Sequence, residues 1–267
     1  DKALREKTAN ISADEFVEVL PKVTEAELRE TTKKRGEFST SYASSQQKRK
    51  SNVKLASSFI SFYELDAGAE FSFNEAIGKR TEERGFTTAK VIENGKFVEG
   101  VGGGVCQVSS TVYNCALLSG LSVTERHRHS LAVSYVEPSF DAMVSYGYAD
   151  LRFTNDTSSP VYIVTYADGN KITVRMYGEE NRYRYERISL VNQLIEPLSE
   201  EIVYTEELED GEKKAMVIPK YGIKSVGFIE VYRKDKLLER RILGTDEYSP
   251  LRGITLVGKK RNNNPAT

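Results

Sequence analysis

The stretch GGGVCQVSSTVYNCALLSGL at residues 102–121 decides how the rest of the chain is organised. After its three glycines, apolar side chains recur at helical spacing, and Gly120 suits the position that ends a helix. Tyr113 and Leu117 add apolar surface to the face opposite the main apolar one, which consists of Val105, Val108, Val112, Cys115, Ala116 and Ser119. A helix that is apolar on most sides belongs in the centre of a domain. The stretch therefore predicts a buried helix that starts at Cys106.

The segments around this helix carry strand and hairpin patterns. Residues 88–99 hold Asn-Gly between two alternating arms, which is typical of a hairpin, and residues 161–178 hold Asp-Gly-Asn in the same role. Apolar residues alternate over 121–135 and, briefly, over 71–74, whereas residues 46–63 have helical spacing. We predict an α+β fold in which the buried helix packs against a mostly antiparallel sheet, followed by a small all-β module.

The domain organisation follows from shifts in composition along the chain. Residues 13–20 and 25–34 read as two short polar helices with plausible caps. We predict a helical N-terminal segment at 1–36, a first domain at 37–180, a connector at 181–198, a β module at 199–260 and a disordered tail at 261–267.

Composition excludes some classes of partner. The 267-residue chain has 38 basic and 39 acidic side chains and a net charge of −1, so overall charge does not favour a nucleic acid or an anionic membrane. The two cysteines, Cys106 and Cys115, lie on opposite faces of the predicted helix and cannot bridge each other there. We expect both to be free thiols, and the pattern requires no cofactor.

Cys106 is a candidate nucleophile. It follows three glycines at the start of a helix, where unpaired N–H groups and the helix dipole favour the thiolate. Gly103 and Gly104 would let a substrate approach closely and could offer N–H donors to an oxyanion. A helix-starting Cys followed by His and then Asp is the chain order of papain-like and transglutaminase-like enzymes. The partners are then His129 or His127, together with Asp141.

Other interpretations of the same residues stay open. Cys106 would be a small buried hydrophobe if it lay sealed in the core. His127 and His129, two positions apart on a strand, could contribute to a zinc site with Cys106 or Asp141. Ser109, Ser110 and Thr111 are nucleophiles by type only. Arg80, in a polar cluster with Thr81, Glu83 and Arg84, could hold a carboxylate-bearing ligand, or the cluster could be a salt-bridged loop.

Five motifs are distinctive: FSTSY (38–42), FSFNEAIGKRTEERGF (71–86), GGGVCQVSSTVYNCALLSGL (102–121), ERHRHS (125–130) and YVEPSFDAMVSYGYADLRFTN (135–155). Through them, roughly residues 37–178 resemble the VanW-like family, named after an accessory protein of vancomycin B-type resistance clusters. Residues 195–258 are similar to the five-glycine (G5) module of surface proteins, through EDGEKKAMVIPKYGIKSVGFIEVYR (209–233) and ITLVGKK (254–260).

The resemblance implies an extracytoplasmic, wall-facing protein of a Gram-positive bacterium, attached to the membrane through an anchor outside this sequence. Residues 1–36 would end a peptidoglycan-binding-like region. The implied partners are peptidoglycan or its stem peptides, and an N-acetylglucosamine-containing glycan for the C-terminal module. The family's motifs single out the following positions: Cys106, Gln107, His129, Asp141, Asp150, Arg80 and Thr81.

Two hypotheses of different classes follow. In the first, Cys106 with His129 and Asp141 performs acyl transfer or hydrolysis on wall peptides, and Arg80, Thr81, Gln107, His127, Asp150, Gly103 and Gly104 bind the ligand. In the second, both domains bind glycan or stem peptide without chemistry. A zinc site at His127 and His129 is a third, weaker alternative.

Overall fold

The computed structural model describes residues 32–93 and 95–259. Within them the helices are α1 (Gln47–Phe59), α2 (Phe73–Ile77) and α3 (Val105–Leu118), with a 3₁₀ turn at Glu82–Arg84. No helix in this described part is long and apolar enough to cross a membrane. Most of the remaining structure is antiparallel sheet, as the sequence predicts.

The largest sheet of the N-terminal half has four strands in the order β1-β9-β8-β2. Its members are β1 (Lys33–Ser41), β2 (Tyr63–Leu65), β8 (Val161–Ala167) and β9 (Lys171–Gly178). All the pairings are antiparallel, and β8 and β9 form the predicted second hairpin. Their inward side chains are buried, among them Ile163 and Val174. Alternation of buried and exposed residues thus gives the sheet one apolar face.

Two smaller sheets flank the same core. Strands β3 (Glu70–Ser72), β7 (Arg152–Thr154) and β6 (Ser122–Glu125) form one, in the order β3-β7-β6. Strands β4 (Thr88–Glu93) and β5 (Lys96–Val101) form the other, and it confirms the hairpin predicted over 88–99.

The C-terminal part consists of two three-stranded sheets. Long strands β10 (Arg184–Ile195), β13 (Gly222–Arg233) and β14 (Lys236–Tyr248) form the first, in the order β10-β13-β14. Strands β11 (Glu201–Thr205), β15 (Ile254–Gly258) and β12 (Lys213–Val217) form the second, in which β11 and β15 are parallel. Strand β10 lies within the segment predicted as a connector.

Helix α3 lies at the centre of the N-terminal half. Every residue of it except Cys106 and Leu118 is buried, and it packs against β1 and β9. Its polar side chains are satisfied inside the protein: Ser109 Oγ donates to the Ala142 carbonyl at 2.6 Å, and Asn114 Nδ2 donates to the Phe140 carbonyl at 2.7 Å. Because buried polar groups must be paired, these bonds fix the 140–142 loop against the helix.

Some local predictions were wrong. The predicted strand over 121–135 ends at Glu125, and an irregular segment follows, because its backbone bonds a side chain instead of a neighbouring strand: the His129 N–H donates to Asp141 Oδ2. The predicted strand 71–74 gives way to α2 at Phe73, where Ser72 accepts a bond from the Glu75 N–H as an N-cap.

At the N-terminal end, residues 33 and 34, predicted as the end of a helix, start β1 and pair with β9. The rest of the predicted N-terminal helices and the predicted disordered tail at 261–267 lie outside the described residues. The proposed domain boundaries stay a prediction.

Candidate functional site

A cleft of about 750 Å³ opens at the start of α3. Its walls come from the residues after β1, the β4–β5 hairpin, the segments 132–135 and 143–146, and Lys220 of the C-terminal part. Cys106, His129 and Arg80 all line it. The cleft thus brings together three residues that are far apart in the sequence.

Two of the three glycines shape the start of α3. Gly104 has φ +108°, a left-handed conformation that side-chain-bearing residues rarely adopt, and it caps the helix. A Cβ on Gly103 would lie 2.7 Å from the Lys90 carbonyl oxygen, so the β4–β5 hairpin packs directly on this backbone. Asn52 Nδ2 donates to the Gly103 carbonyl at 3.0 Å and holds the loop to α1. Cys106 is thereby placed at the cleft floor.

Cys106 is half-buried and does not form a disulfide. Its Sγ donates to the Val144 carbonyl oxygen at 3.5 Å, and the His129 side chain is close enough to influence its ionisation. Burial opposes ionisation of the thiol, but the hydrogen bond and charge of His129, with the charge of Arg80, lower the pKa of Cys106. The sulfur therefore favours the reactive thiolate form.

The imidazole of His129 lies between Cys106 and Asp141. Its Nδ1 is 2.6 Å from Asp141 Oδ2, which leaves Nε2 for the sulfur. Burial alone would lower the pKa of His129, but the hydrogen bonds to Asp141 and Cys106 raise it to about 9. The imidazole is thus a cation at neutral pH, paired with a carboxylate on one side and a thiol of lowered pKa on the other.

Asp141 is buried and accepts four hydrogen bonds from named donors. They come from the backbone and ring of His129 at 2.7 and 2.6 Å, from Arg126 Nη2 at 2.7 Å and from the Tyr248 hydroxyl at 2.5 Å. Burial would raise the pKa of Asp141, but the bond to His129, the charge of Arg126 and the bond to Tyr248 hold it at about 2. The carboxylate is therefore a fixed anion that orients the imidazole.

Sequence reasoning missed Arg126, Asp246 and Tyr248, which hold Asp141 in place. Arg126 Nη1 bridges to Asp246 at 2.7 Å, and Tyr248 also accepts a bond from the Ser139 N–H at 2.8 Å. Arg126 lies in the ERHRHS motif, but the alternation over residues 121–135 predicted that its side chain lies on the polar face of a strand. Asp246 and Tyr248 belong to β14, which has no local signal for contact with this site.

Tyr135 is a further residue that the sequence did not reveal. It lines the cleft. Burial raises the pKa of Tyr135, and so does the charge of Cys106. A phenol therefore lies beside the thiol.

Among the predicted binding residues, Arg80, Gln107 and Gly104 line the cleft. Gln107 is committed to the fold, because its Nε2 donates to Thr40 Oγ1 at 3.0 Å and to the Ser41 carbonyl at 2.9 Å. The Arg80 guanidinium lies 5.9 Å from the centre of the Phe73 ring, but its Nη1 and Nη2 are buried and lack a hydrogen-bond partner among the described residues.

Four other predicted binding residues do not line this cleft. Thr81 caps the 3₁₀ turn, and its carbonyl accepts bonds from the N–H groups of that turn's end. His127 pairs with Glu125 at 2.9 Å. Asp150 is buried and accepts bonds from Ser72 Oγ at 2.5 Å and the Asn74 N–H at 2.9 Å. Gly103, as described above, acts through backbone packing.

The zinc interpretation receives no support from the described part of the chain, which holds no group of three His, Cys, Asp or Glu residues that could bind a metal ion. His127 and His129 have separate partners, Glu125 and Asp141.

Comparison with known proteins gives the following relatives. The family described as "VanW like protein" matches residues 48–177. YoaR of Bacillus subtilis (strain 168), an uncharacterized protein, is 36% identical over 163 residues, which are 61% of this chain and 54% of YoaR. The vancomycin B-type resistance protein VanW of Enterococcus faecalis (strain ATCC 700802 / V583) is 27% identical over 135 residues, 48% of this chain and 49% of VanW. The chain thus spans about half the length of these curated relatives.

Two solved structures are also similar. The IgA1 protease G5 domain is 24% identical, with a TM-score of 0.20, over 30% of this chain and 89% of that domain. HP0197-G5 is 19% identical, with a TM-score of 0.16, over 29% of this chain and 100% of that one. The motif that forms α3 lies within the matched residues 48–177, as do Cys106, His129 and Asp141, and this part of the chain belongs to the VanW-like family.

Proposed function

We propose that this protein acts at the bacterial cell wall, where Cys106 is the nucleophile of acyl transfer or hydrolysis on wall peptides. The observation that carries the proposal is the grouping of Cys106, His129 and Asp141: the first two line an open cleft, and His129 Nδ1 lies 2.6 Å from Asp141 Oδ2. A thiol of lowered pKa, an imidazolium and an orienting carboxylate are the parts that nucleophilic catalysis by cysteine requires.

In the proposed reaction the Cys106 thiolate attacks the carbonyl carbon of a peptide bond. The His129 imidazolium gives its Nε2 proton to the departing amine as the C–N bond breaks, which leaves a thioester on Cys106. Water or a second amine then attacks the thioester while His129 takes up the proton. The positive end of the α3 dipole lies next to the developing oxyanion and stabilises it.

The wall location is supported by similarity to a vancomycin B-type resistance protein and by the G5-like sequence of the C-terminal part. We propose an extracytoplasmic protein divided into a VanW-like domain at 37–180 and a β module at 199–260. In that module Tyr204 and Tyr221 are exposed and could stack on sugar rings of an N-acetylglucosamine-containing glycan. The same exposed rings favour the second candidate function, a binding protein without chemistry.

The proposal is tested by the pH dependence of Cys106 alkylation with iodoacetamide in a Cys115→Ala protein. Rapid labelling well below pH 8, slowed by His129→Ala, is the result we expect. Replacing Cys115 leaves Cys106 as the one thiol that can be labelled, and in the wild type burial raises the pKa of Cys115 to about 12. Labelling of Cys106 only at the pH of an ordinary thiol, or only after unfolding, would favour the binding protein.

A further inference from the structure

We infer that the cleft binds a peptide with a free carboxylate next to the bond that Cys106 attacks, and that Arg80 binds this carboxylate. The inference rests on the proposed function and names the substrate class for it. It makes the enzyme one that acts at a peptide's carboxyl end, releasing or exchanging the last residue.

The first argument is the charge of the cleft. Its lining includes four Arg and Lys side chains, Arg49, Arg80, Lys90 and Lys220, but, among the described residues, neither Asp nor Glu. The whole chain has a net charge of −1, so the positive charge is local to this cleft. A cleft lined by one sign of charge attracts ligands of the opposite sign.

The guanidinium of Arg80 is not fully hydrogen-bonded. Its guanidinium nitrogens Nη1 and Nη2 are buried and lack a hydrogen-bond partner among the described residues. By contrast, Arg126 is paired with two carboxylates and Arg84 Nη1 donates to the Lys79 carbonyl. Burying guanidinium nitrogens without hydrogen-bond acceptors is unfavourable, and a carboxylate that accepts bonds from both nitrogens removes that cost.

Arg80 also lies near the start of α3, where Cys106 is. Arg80 packs against the glycine loop that precedes α3: a Cβ on Gly102 would lie 3.0 Å from the Cβ of Arg80. Its charge also interacts with that of Cys106. A carboxylate bound by Arg80 would therefore lie close to the sulfur. The apolar side chains of Val91, Ile92 and Met143 line the same cleft and suit a peptide better than a phosphodiester polymer.

The chemistry follows from this placement. The Cys106 thiolate bonds to the penultimate residue's carbonyl carbon, and the C–N bond to the last residue breaks. The amine that leaves takes the proton of the His129 imidazolium, while its own carboxylate stays on Arg80. Water then cleaves the thioester to give a new carboxylate, or an amine does so to give a new amide.

Two alkylating agents of different charge test the inference. In the Cys115→Ala protein the rate of Cys106 labelling is measured with anionic iodoacetate and with neutral iodoacetamide. Because both react with the same thiolate, their rate ratio reports the charge beside it. We expect Arg80→Gln to lower the iodoacetate-to-iodoacetamide ratio by about fivefold. Arg182→Gln, which removes an exposed cation outside the cleft, should leave the ratio unchanged.

A protection assay identifies the anion. N-acetyl-alanyl-alanine should slow iodoacetamide labelling, its C-terminal amide should not, and Arg80→Lys should abolish the protection while it keeps most of the iodoacetate preference. Arg80→Gln leaving the rate ratio unchanged would overturn the inference, as would Arg80-dependent protection by glycerol phosphate but not by the dipeptide. An ordinary thiol pH profile, with iodoacetamide alone, would instead overturn the proposed function.

Discussion

The hydroxyl of Tyr248 donates a hydrogen bond of 2.5 Å to Oδ1 of Asp141, across 107 residues of sequence. Tyr248 ends β14 and is buried, and its hydroxyl oxygen also accepts a bond from the Ser139 N–H. Asp141 in turn holds the ring of His129. The C-terminal part of the chain therefore helps to position the candidate catalytic residues of the VanW-like domain.

Tyr248→Phe should lower the free energy of unfolding by about 1.5–3 kcal/mol, because a buried carboxylate loses a donor. It should also slow Cys106 alkylation at neutral pH, since His129 is held less firmly. Urea unfolding and labelling rates measure the two effects. Tyr204→Phe, at an exposed tyrosine of β11, is the control and should change neither quantity. An unchanged stability in Tyr248→Phe would contradict the bond to Asp141.

Arg126→Met should be among the most destabilising substitutions in the chain. The Arg126 side chain is mostly buried between Asp141 and Asp246, and its loss leaves two buried carboxylates short of a cation. We expect the free energy of unfolding to fall by about 3–5 kcal/mol. Arg241→Met, which removes an exposed pair with Glu239, should change it by about 0–1 kcal/mol. Equal effects of the two substitutions would argue against a buried ion pair.

The pairing of Cys106 with His129 predicts a difference in the pH dependence of stability between the wild type and Cys106→Ser. The folded-state pKa of His129 lies above its ordinary 6.5, so its contribution is fully present below pH 6.5 and is lost as pH rises towards the folded value. The lowered pKa of Cys106 acts in the opposite direction, because its contribution grows as pH rises towards 9.0.

In the wild type these two contributions act in opposite directions, so stability should change less between pH 6.5 and 8 than it does in Cys106→Ser. Cys106→Ser removes the thiol and leaves the effect of Asp141 on His129. Its stability should then decline over that window, by at most about 1.4 kcal/mol per pH unit. Urea unfolding at pH 6.5, 7.2 and 8 measures both slopes. If the free energy of unfolding changed equally with pH in the wild type and in Cys106→Ser, folding would not generate a thiolate–imidazolium pair.

Gly103→Ala should disturb the cleft through the backbone. The added Cβ would lie 2.7–2.8 Å from the main-chain atoms of Ala89 and Lys90, so the β4–β5 hairpin must shift. We expect a loss of about 1–3 kcal/mol in the free energy of unfolding and an altered rate of Cys106 labelling. Gly244→Ala, where a Cβ meets open space, is the matched control. If Gly103→Ala were as stable as Gly244→Ala, the β4–β5 hairpin would not pack on Gly103.

Short-range patterns in the sequence determined the local elements. The apolar repeat over 102–121 predicted α3, and Asn-Gly and Asp-Gly-Asn predicted two hairpins, because helical periodicity and turn chemistry depend on neighbouring residues. Chemical type and order also singled out Cys106, His129 and Asp141, which the structure brings together: Cys106 and His129 line one cleft, and His129 bonds Asp141.

Only the tertiary structure decided what surrounds those residues. Alternation over 121–135 predicted a strand, but the strand ends at Glu125, and the His129 N–H donates to the Asp141 side chain instead of to a neighbouring strand. Tyr248 reaches Asp141 across 107 residues, and a contact between such distant positions leaves no periodic trace in either segment. The same holds for Arg80, because a lack of hydrogen-bond partners is a property of packing and not of the residues beside it in the chain.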